Sequence, residues 1–431
     1  MHNNASAALS PFDIAALLVV AAAVFGYINH HYIRLPHVIG LTIMGALAAI
    51  VLTVLNALVP SITLDDSVSR LLEQLNFTDT LLQGMLSFLL FAGALHVDLK
   101  RLSADWLPVL LLSTVGVVTS TVLVGGATWG LGLLLGVEIA PIWYYVFGAL
   151  ISPTDPVSVL GVLKTEDVPL SLQSAVAGES LFNDGVGIVV FTILLGAAVT
   201  GADFSIAEGA RLFVIEAGGG LAVGVAIGWL GFRGMRSMDE YTLEVLISLA
   251  VVMGGYALCS QLHLSGPIAM AVAGLLIGNF GAHYAMSDET LDYVNKFWEL
   301  VDELLNSVLF LLIGLELIAL VPGGTEFIFG LAARGISVFG AIKVMPSARL
   351  DTPGSGRVLW WGGLRGGISV ALALSLPAGD TRDILLAATF GAVLFSVLIQ
   401  RATLGKLIDG LQADDSPCMQ EEPTGRTSGA D

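Results

Sequence analysis

Apolar stretches of about twenty residues recur along almost the whole chain, and this recurrence limits the possible folds more than any single motif. A membrane-crossing helix needs about 20 consecutive, mostly apolar residues. Thirteen segments qualify, at 12–29, 36–58, 79–97, 106–133, 142–163, 171–199, 209–232, 242–262, 265–280, 300–320, 326–345, 357–376 and 382–407. Charged residues make up 13% of the chain and hydrophobic ones 55%, whereas a soluble domain carries about 25% charged residues. So little polar surface does not cover a water-soluble globule of this length. The 50 glycines fit the same reading, because small residues let membrane helices approach closely. The sequence therefore predicts an all-α polytopic membrane protein with about thirteen transmembrane helices.

Basic residues orient these spans. Cytoplasmic loops are enriched in Lys and Arg. With the N-terminus outside, 13 of the 18 basic residues fall in cytoplasmic loops and 3 (Arg70, Arg211 and Arg382) in outer loops, while Arg334 and Arg365 lie within spans. Eleven or twelve helices with a re-entrant loop would satisfy the same bias. No Lys or Arg precedes the first apolar stretch, Ile14–Ile28. A secretory signal would carry positive charge there, so this stretch reads as a retained first helix. Residues 1–11 are then an outer segment, 12–407 the membrane unit, and 408–431 a disordered cytoplasmic tail. The polar segment 282–299 is expected at the cytoplasmic surface.

The net charge of -18 argues against nucleic-acid binding, which needs a basic face. The acids cluster at Asp65–Asp79, Asp203–Glu208, Asp288–Glu303 and from Asp409 onward, and most read as solvated loop. Cys259 and Cys418 are too few and too far apart for a disulfide framework or a metal site. No cofactor is implied.

An ionisable residue deep in a bilayer costs roughly 2.5–3.5 kcal/mol even on a lenient scale, so each one needs a reason. The fifth segment contains Ser152-Pro153-Thr154-Asp155-Pro156. Its two prolines each remove a backbone donor and clash with the preceding turn. The helix should unwind there, freeing carbonyls such as that of Thr154 and leaving half-helix ends that need a charge partner. The plainer alternative is a proline kink with Asp155 as an N-cap. In the sixth segment, Glu179 and Asn183 are four residues apart and share a helix face, as do Ser180 and Asp184 on the adjacent face. Together they offer the hard oxygen ligands that a small cation prefers; the alternative is a polar helix–helix contact. In the twelfth segment, Gly362-Gly363-Leu364-Arg365-Gly366-Gly367 reads as a weak or closely packed helix. Arg365 is always charged and requires a buried acid partner, for which Glu179 is the expected choice. That pair need only hold two helices together. Arg334, Glu216, Glu244, Asp302, Glu303 and Glu316 are expected to be structural or interfacial. His37, His96, His263 and His283 receive no transport role.

The stretches "ISPTDPVSVLGVLK", "GESLFNDGVGIVVF", "LHLSGPIAMAVAGLLIGN" and "WGGLRGGISVALALSLP" resemble the signatures of the NhaP/NHE-type cation–proton antiporters, and the likeness runs from about residue 12 to 407. It implies a homodimer in a bacterial inner membrane, serving sodium transport and pH homeostasis. Each protomer would have dimerisation helices and a six-helix core that includes 142–199 and 326–407, built as inverted repeats with two crossed broken helices. It further implies Asp184 as the ion- and proton-binding carboxylate with Asn183 orienting it, Asp155, Thr154 and Ser180 as further Na+ ligands, and Glu179–Arg365 as an interhelical ion pair. One departure is at Ala92, in Leu90-Phe91-Ala92-Gly93-Ala94-Leu95, where many relatives carry an acid; this removes a candidate ligand and leaves Na+ against K+ open. Asn183 stands where electrogenic relatives have a second Asp, and the tenth segment lacks a central Lys. Both imply one proton per cation.

Burial penalises the charged form of Asp184. A proton or a cation would let the core carry it across, and a bare charge would not cross. Two competing readings use the same residues: an intramembrane hydrolase with Asp155 and Asp184 as acid and base, and a cation channel.

Overall fold

The computed structural model describes residues 11–58, 83–104, 106–154, 170–201, 205–281, 286–316, 361, 364–400 and 403–405. Every regular element among them is helical. Helix α1 (Pro11–Ile28) runs into a π-helical turn, Asn29–Ile33, and α2 (His37–Leu58) follows. Next come α3 (Gln83–Leu95), the short α4 (Leu99–Ala104), and α5 (Trp106–Leu111), which continues through a π turn at Leu112–Gly116 into α6 (Val117–Leu135). The chain proceeds through α7 (Pro141–Ile151), α8 (Leu170–Thr200), α9 (Ile206–Met235), α10 (Tyr241–Gln261) and α11 (Gly266–Leu276), the last extended by a π turn, Ile277–Gly281. It ends with α12 (Asp288–Glu316), α13 (Gly367–Leu374), α14 (Asp380–Phe395) and a further π turn, Ser396–Gln400.

Local chemistry sets these boundaries. The Ser265 hydroxyl accepts from the Ile268 N–H at 3.3 Å, and Pro267 sits in the first turn of α11. Such a side-chain cap satisfies a donor that the helix itself leaves open, and proline there removes no intrahelical bond. Helix α6 stops at Gly136, which adopts the left-handed conformation at φ 71 that glycine reaches without a Cβ penalty.

Twelve of the thirteen predicted spans contain helix among the described residues, the fifth and twelfth with non-helical breaks; the eleventh, 326–345 with Arg334, lies outside the described residues. Five helices among those described are long and apolar enough to cross a membrane. Segment 282–299 is not a separate element. From Asp288 it is continuous with the tenth span in one 29-residue helix, α12, about 43 Å long at 1.5 Å per residue. Thr290, Val294 and Trp298 are buried and recur every fourth residue, so one face carries the core stripe straight through. The acids that mark the segment as polar, such as Glu289, Asp292 and Glu299, lie on the exposed face.

Two apolar clusters organise the bundle. The larger joins Leu90 of α3, Val124 of α6, Phe147 of α7, Leu181 and Phe191 of α8, Val370 of α13 and Phe390 of α14. The other joins Phe91 of α3, Val252 of α10, Met270 of α11 and Trp298 of α12. Helix α9 reaches α11 through Gly220, Gly224 and Gly228, one per turn. A Cβ on Gly224 would lie 2.9 Å from the Ala269 Cα, whereas one on Gly218 would meet nothing within 4 Å. In a bilayer, backbone contact of this kind replaces the hydrophobic drive for helix association.

These contacts predict opposite responses on one helix. Gly224→Ala lowers stability by about 1–3 kcal/mol through overpacking. Gly218→Ala is neutral or stabilising by up to about 1 kcal/mol through helix propensity. Thermal melts of the detergent-solubilised protein read both.

Candidate functional site

Two breaks in helical backbone meet at the site. Helix α7 stops at Ile151, and Ser152, Pro153 and Thr154 are not helical. The Ser152 hydroxyl holds this end against α6, 2.7 Å from the Gly148 carbonyl, 3.0 Å from Ser120 Oγ and 3.4 Å from Thr121 Oγ1. On the far side of the site, Leu364–Gly366 precede α13 without helical structure. The π turn after α14 satisfies one of their backbone donors. Ser396 Oγ accepts from the Arg365 N–H at 2.7 Å and donates to Gln400 Oε1 at 3.0 Å, while Gln400 Nε2 donates to the Trp361 carbonyl at 2.8 Å.

Arg365 joins the two breaks. Its Nη1 donates to the Pro153 carbonyl at 3.2 Å, and the side chain is 3% exposed. The carbonyl end of a helix carries partial negative charge, so the guanidinium neutralises the open end of α7. It also lies within electrostatic reach of Asp184 and Glu179. Sequence reasoning paired it with Glu179; the geometry brings Asp184 into its field as well.

The polar face of α8 closes the site. Glu179, Ser180, Asn183 and Asp184 are all buried, Asp184 at 1% exposure. Ser180 Oγ lies 3.0 Å from Thr154 Oγ1, and Asn183 Nδ2 donates to the same hydroxyl at 3.4 Å. Asn183 Oδ1 has no hydrogen-bond partner among the described residues. Thr154 therefore meets α8 through its hydroxyl. Asp155 lies outside the described residues. The site thus gathers a carboxyl, an amide oxygen and two hydroxyls in a water-poor interior, a set suited to a small hard cation. Ser120, Ser396 and Gln400 were missed from sequence; Ser396 and Gln400, four apart in an apolar run, were the available signal.

The transmembrane sodium/hydrogen exchanger family model matches residues 19–409. The chain belongs to the sodium/hydrogen exchanger family. It is similar to the Na(+)/H(+) antiporter NhaP of Pseudomonas aeruginosa, with 43% identity over 93% of this chain and 97% of that one. It is also similar to the Na(+)/H(+) antiporter NhaH of Halobacillus dabanensis, with 36% identity over 78% of this chain and 84% of the relative. In fold it matches the sodium proton antiporter MjNhaP1 of Methanocaldococcus jannaschii at pH 8, with a TM-score of 0.73 and 20% identity, covering 92% of this chain and 97% of that one. The all-α membrane architecture with broken helices is thus the fold of a solved exchanger, and the family is one of transporters rather than enzymes.

The exchanger fold also places Ala92. It is buried and belongs to the apolar cluster of Phe91, Leu95, Met270, Ala273 and Trp298.

The cross-link makes a graded prediction. Arg365→Gln strips buried acids of their cation and lowers stability by roughly 3–5 kcal/mol. Ser396→Ala deprives one buried N–H of its acceptor and costs about 1–3 kcal/mol. Thermal unfolding in detergent should rank them in that order.

Proposed function

We propose that this chain exchanges Na+ for H+ across a membrane, with Asp184 as the carboxyl that carries either ion. The observation that supports this most is the burial of Asp184 beside Ser180, Asn183 and Thr154 at the broken end of α7. A carboxylate held there is unstable alone and stable with a positive companion. Sodium and protons then compete for one place, and competition at a site with alternating access is exchange. Membership in the exchanger family supports the same reading over a hydrolase or a channel.

On this reading Asp155, Thr154, Ser180 and Asn183 complete the cation's coordination, and Glu179 shares Arg365 as a structural ion pair. A neutral Asn183 beside Asp184 leaves one titrating carboxyl on this turn, which favours electroneutral exchange of one proton per cation. Li+ and K+ are the alternative cargoes. The protein works as a homodimer in a bacterial inner membrane, N-terminus outside and C-terminus in the cytoplasm. Dimerisation helices flank a six-helix core that includes 142–199 and 326–407, and residues 408–431 form a cytoplasmic tail.

In everted vesicles loaded with a pH-sensitive dye, Asp184→Asn abolishes sodium-driven dequenching at unchanged protein levels. Full dequenching in that variant would contradict the assignment. Ser180→Ala removes one ligand and raises the apparent KM for Na+ by about tenfold, as expected for losing a contact to a charged group worth about 1.5 kcal/mol.

A further inference from the structure

A second buried acid lies away from the breaks, in the first turn of α10. Glu244 is 0% exposed, and neither of its carboxylate oxygens has a hydrogen-bond partner among the described residues. What faces it is oxygen. The Thr290 hydroxyl of α12 approaches it, and Asp239, in the α9–α10 turn, adds a second negative charge. Thr290 Oγ1 lies 3.2 Å from Ser287 Oγ, which donates to Asp239 Oδ1 at 2.8 Å. Four oxygen-bearing side chains thus run in sequence: Glu244, Thr290, Ser287, Asp239.

The hydroxyl donors nearby also serve other acceptors. The Ser287 proton goes to Asp239, and Thr290 donates to the Ser287 carbonyl at 3.2 Å. One turn along α10, Ser248 donates to the Val245 carbonyl at 2.7 Å and accepts from Trp298 Nε1 at 2.9 Å. The charged surroundings are mainly acidic, with Glu240, Asp288 and Glu289 exposed close by in sequence. Of the neighbouring cations, Arg233 lies over the Trp229 ring at 5.3 Å, Lys296 pairs with Asp292 at 2.6 Å, and Arg236 is exposed. A carboxylate removed from water, with a like charge beside it and no basic partner among the described residues, is stabilised by a positive companion.

We propose that Glu244, Asp239, Thr290 and Ser287 form a second cation site, distinct from the Asp184 site, in which a small monovalent cation ties α12 to the α9–α10 turn. Two carboxylates and two hydroxyls suit Na+ or K+ better than Ca2+, which takes 6–8 oxygens and several acids. The described residues contain no group of three or more His, Cys, Asp and Glu that could hold a metal ion.

The test compares Asp184→Asn with the double variant Asp184→Asn/Glu244→Gln in detergent at mildly alkaline pH. NaCl is titrated against choline chloride at constant ionic strength while thermal unfolding is followed. The single variant should gain Tm saturably with Na+, and the double variant should lose that gain. No Na+-dependent gain in the single variant, or an equal gain in both, overturns the proposal. So does an equal rise with choline, which would be a salt effect only. Should the double variant fail to fold, Asp184→Asn/Thr290→Val keeps the carboxylate and should move the Na+ midpoint at least severalfold higher; an unmoved midpoint overturns the site. Both arms carry the Asp184 change, so the comparison holds whether or not Asp184 binds the transported ion.

Discussion

A carboxylate buried in a bilayer costs several kcal/mol unless a proton, a cation or a guanidinium stays with it. Much of the described polar interior answers that constraint. Arg365 supplies permanent positive charge where two helices lose their backbone continuity, and it stabilises the Pro153 carbonyl as well as facing two acids. Its own backbone is fixed by Ser396, which Gln400 in turn holds. The breaks that would be liabilities in a plain membrane helix become the place where charge is tolerated. Asp184, one turn beyond Glu179 on α8, sits in that tolerated zone.

The packing explains why the zone is buried. Helix α7 is clamped to α6 through Ser152, and Phe147 and Leu150 carry the large apolar cluster up to the break. Helices α9 and α11 touch backbone to backbone through a glycine stripe. Rigid contacts of this kind suit elements that move as bodies around a fixed midplane site. Ala92 belongs to the apolar cluster around Trp298, so this chain has no acid at that position to share the work of cation binding.

Much of this was legible in the sequence for physical reasons. Two prolines three residues apart dictate a break, and the spacing of Glu179, Ser180, Asn183 and Asp184 dictates a polar face. Both are local rules. What local rules do not carry is which element answers which. Arg365 was assigned to Glu179 on charge and family resemblance; its bond to a carbonyl 212 residues away comes from two distant segments of the chain meeting. The continuity of α12 was hidden by the acids on its exposed face, which masked the stripe of Thr290, Val294 and Trp298. Glu244 was read as one more scattered acid near an interface, because nothing in its neighbours along the chain reveals Ser287 and Thr290 beside it.

The central claim is that one carboxyl takes either a proton or a sodium ion, never both. The most direct measurement is the apparent KM for Na+ in proteoliposomes across a pH series. Direct competition predicts that KM rises about tenfold for each unit of falling pH on the acid side, with the maximal rate recovered at saturating Na+. A KM that stays constant while the maximal rate falls would contradict it, since sodium and protons would then act at separate places.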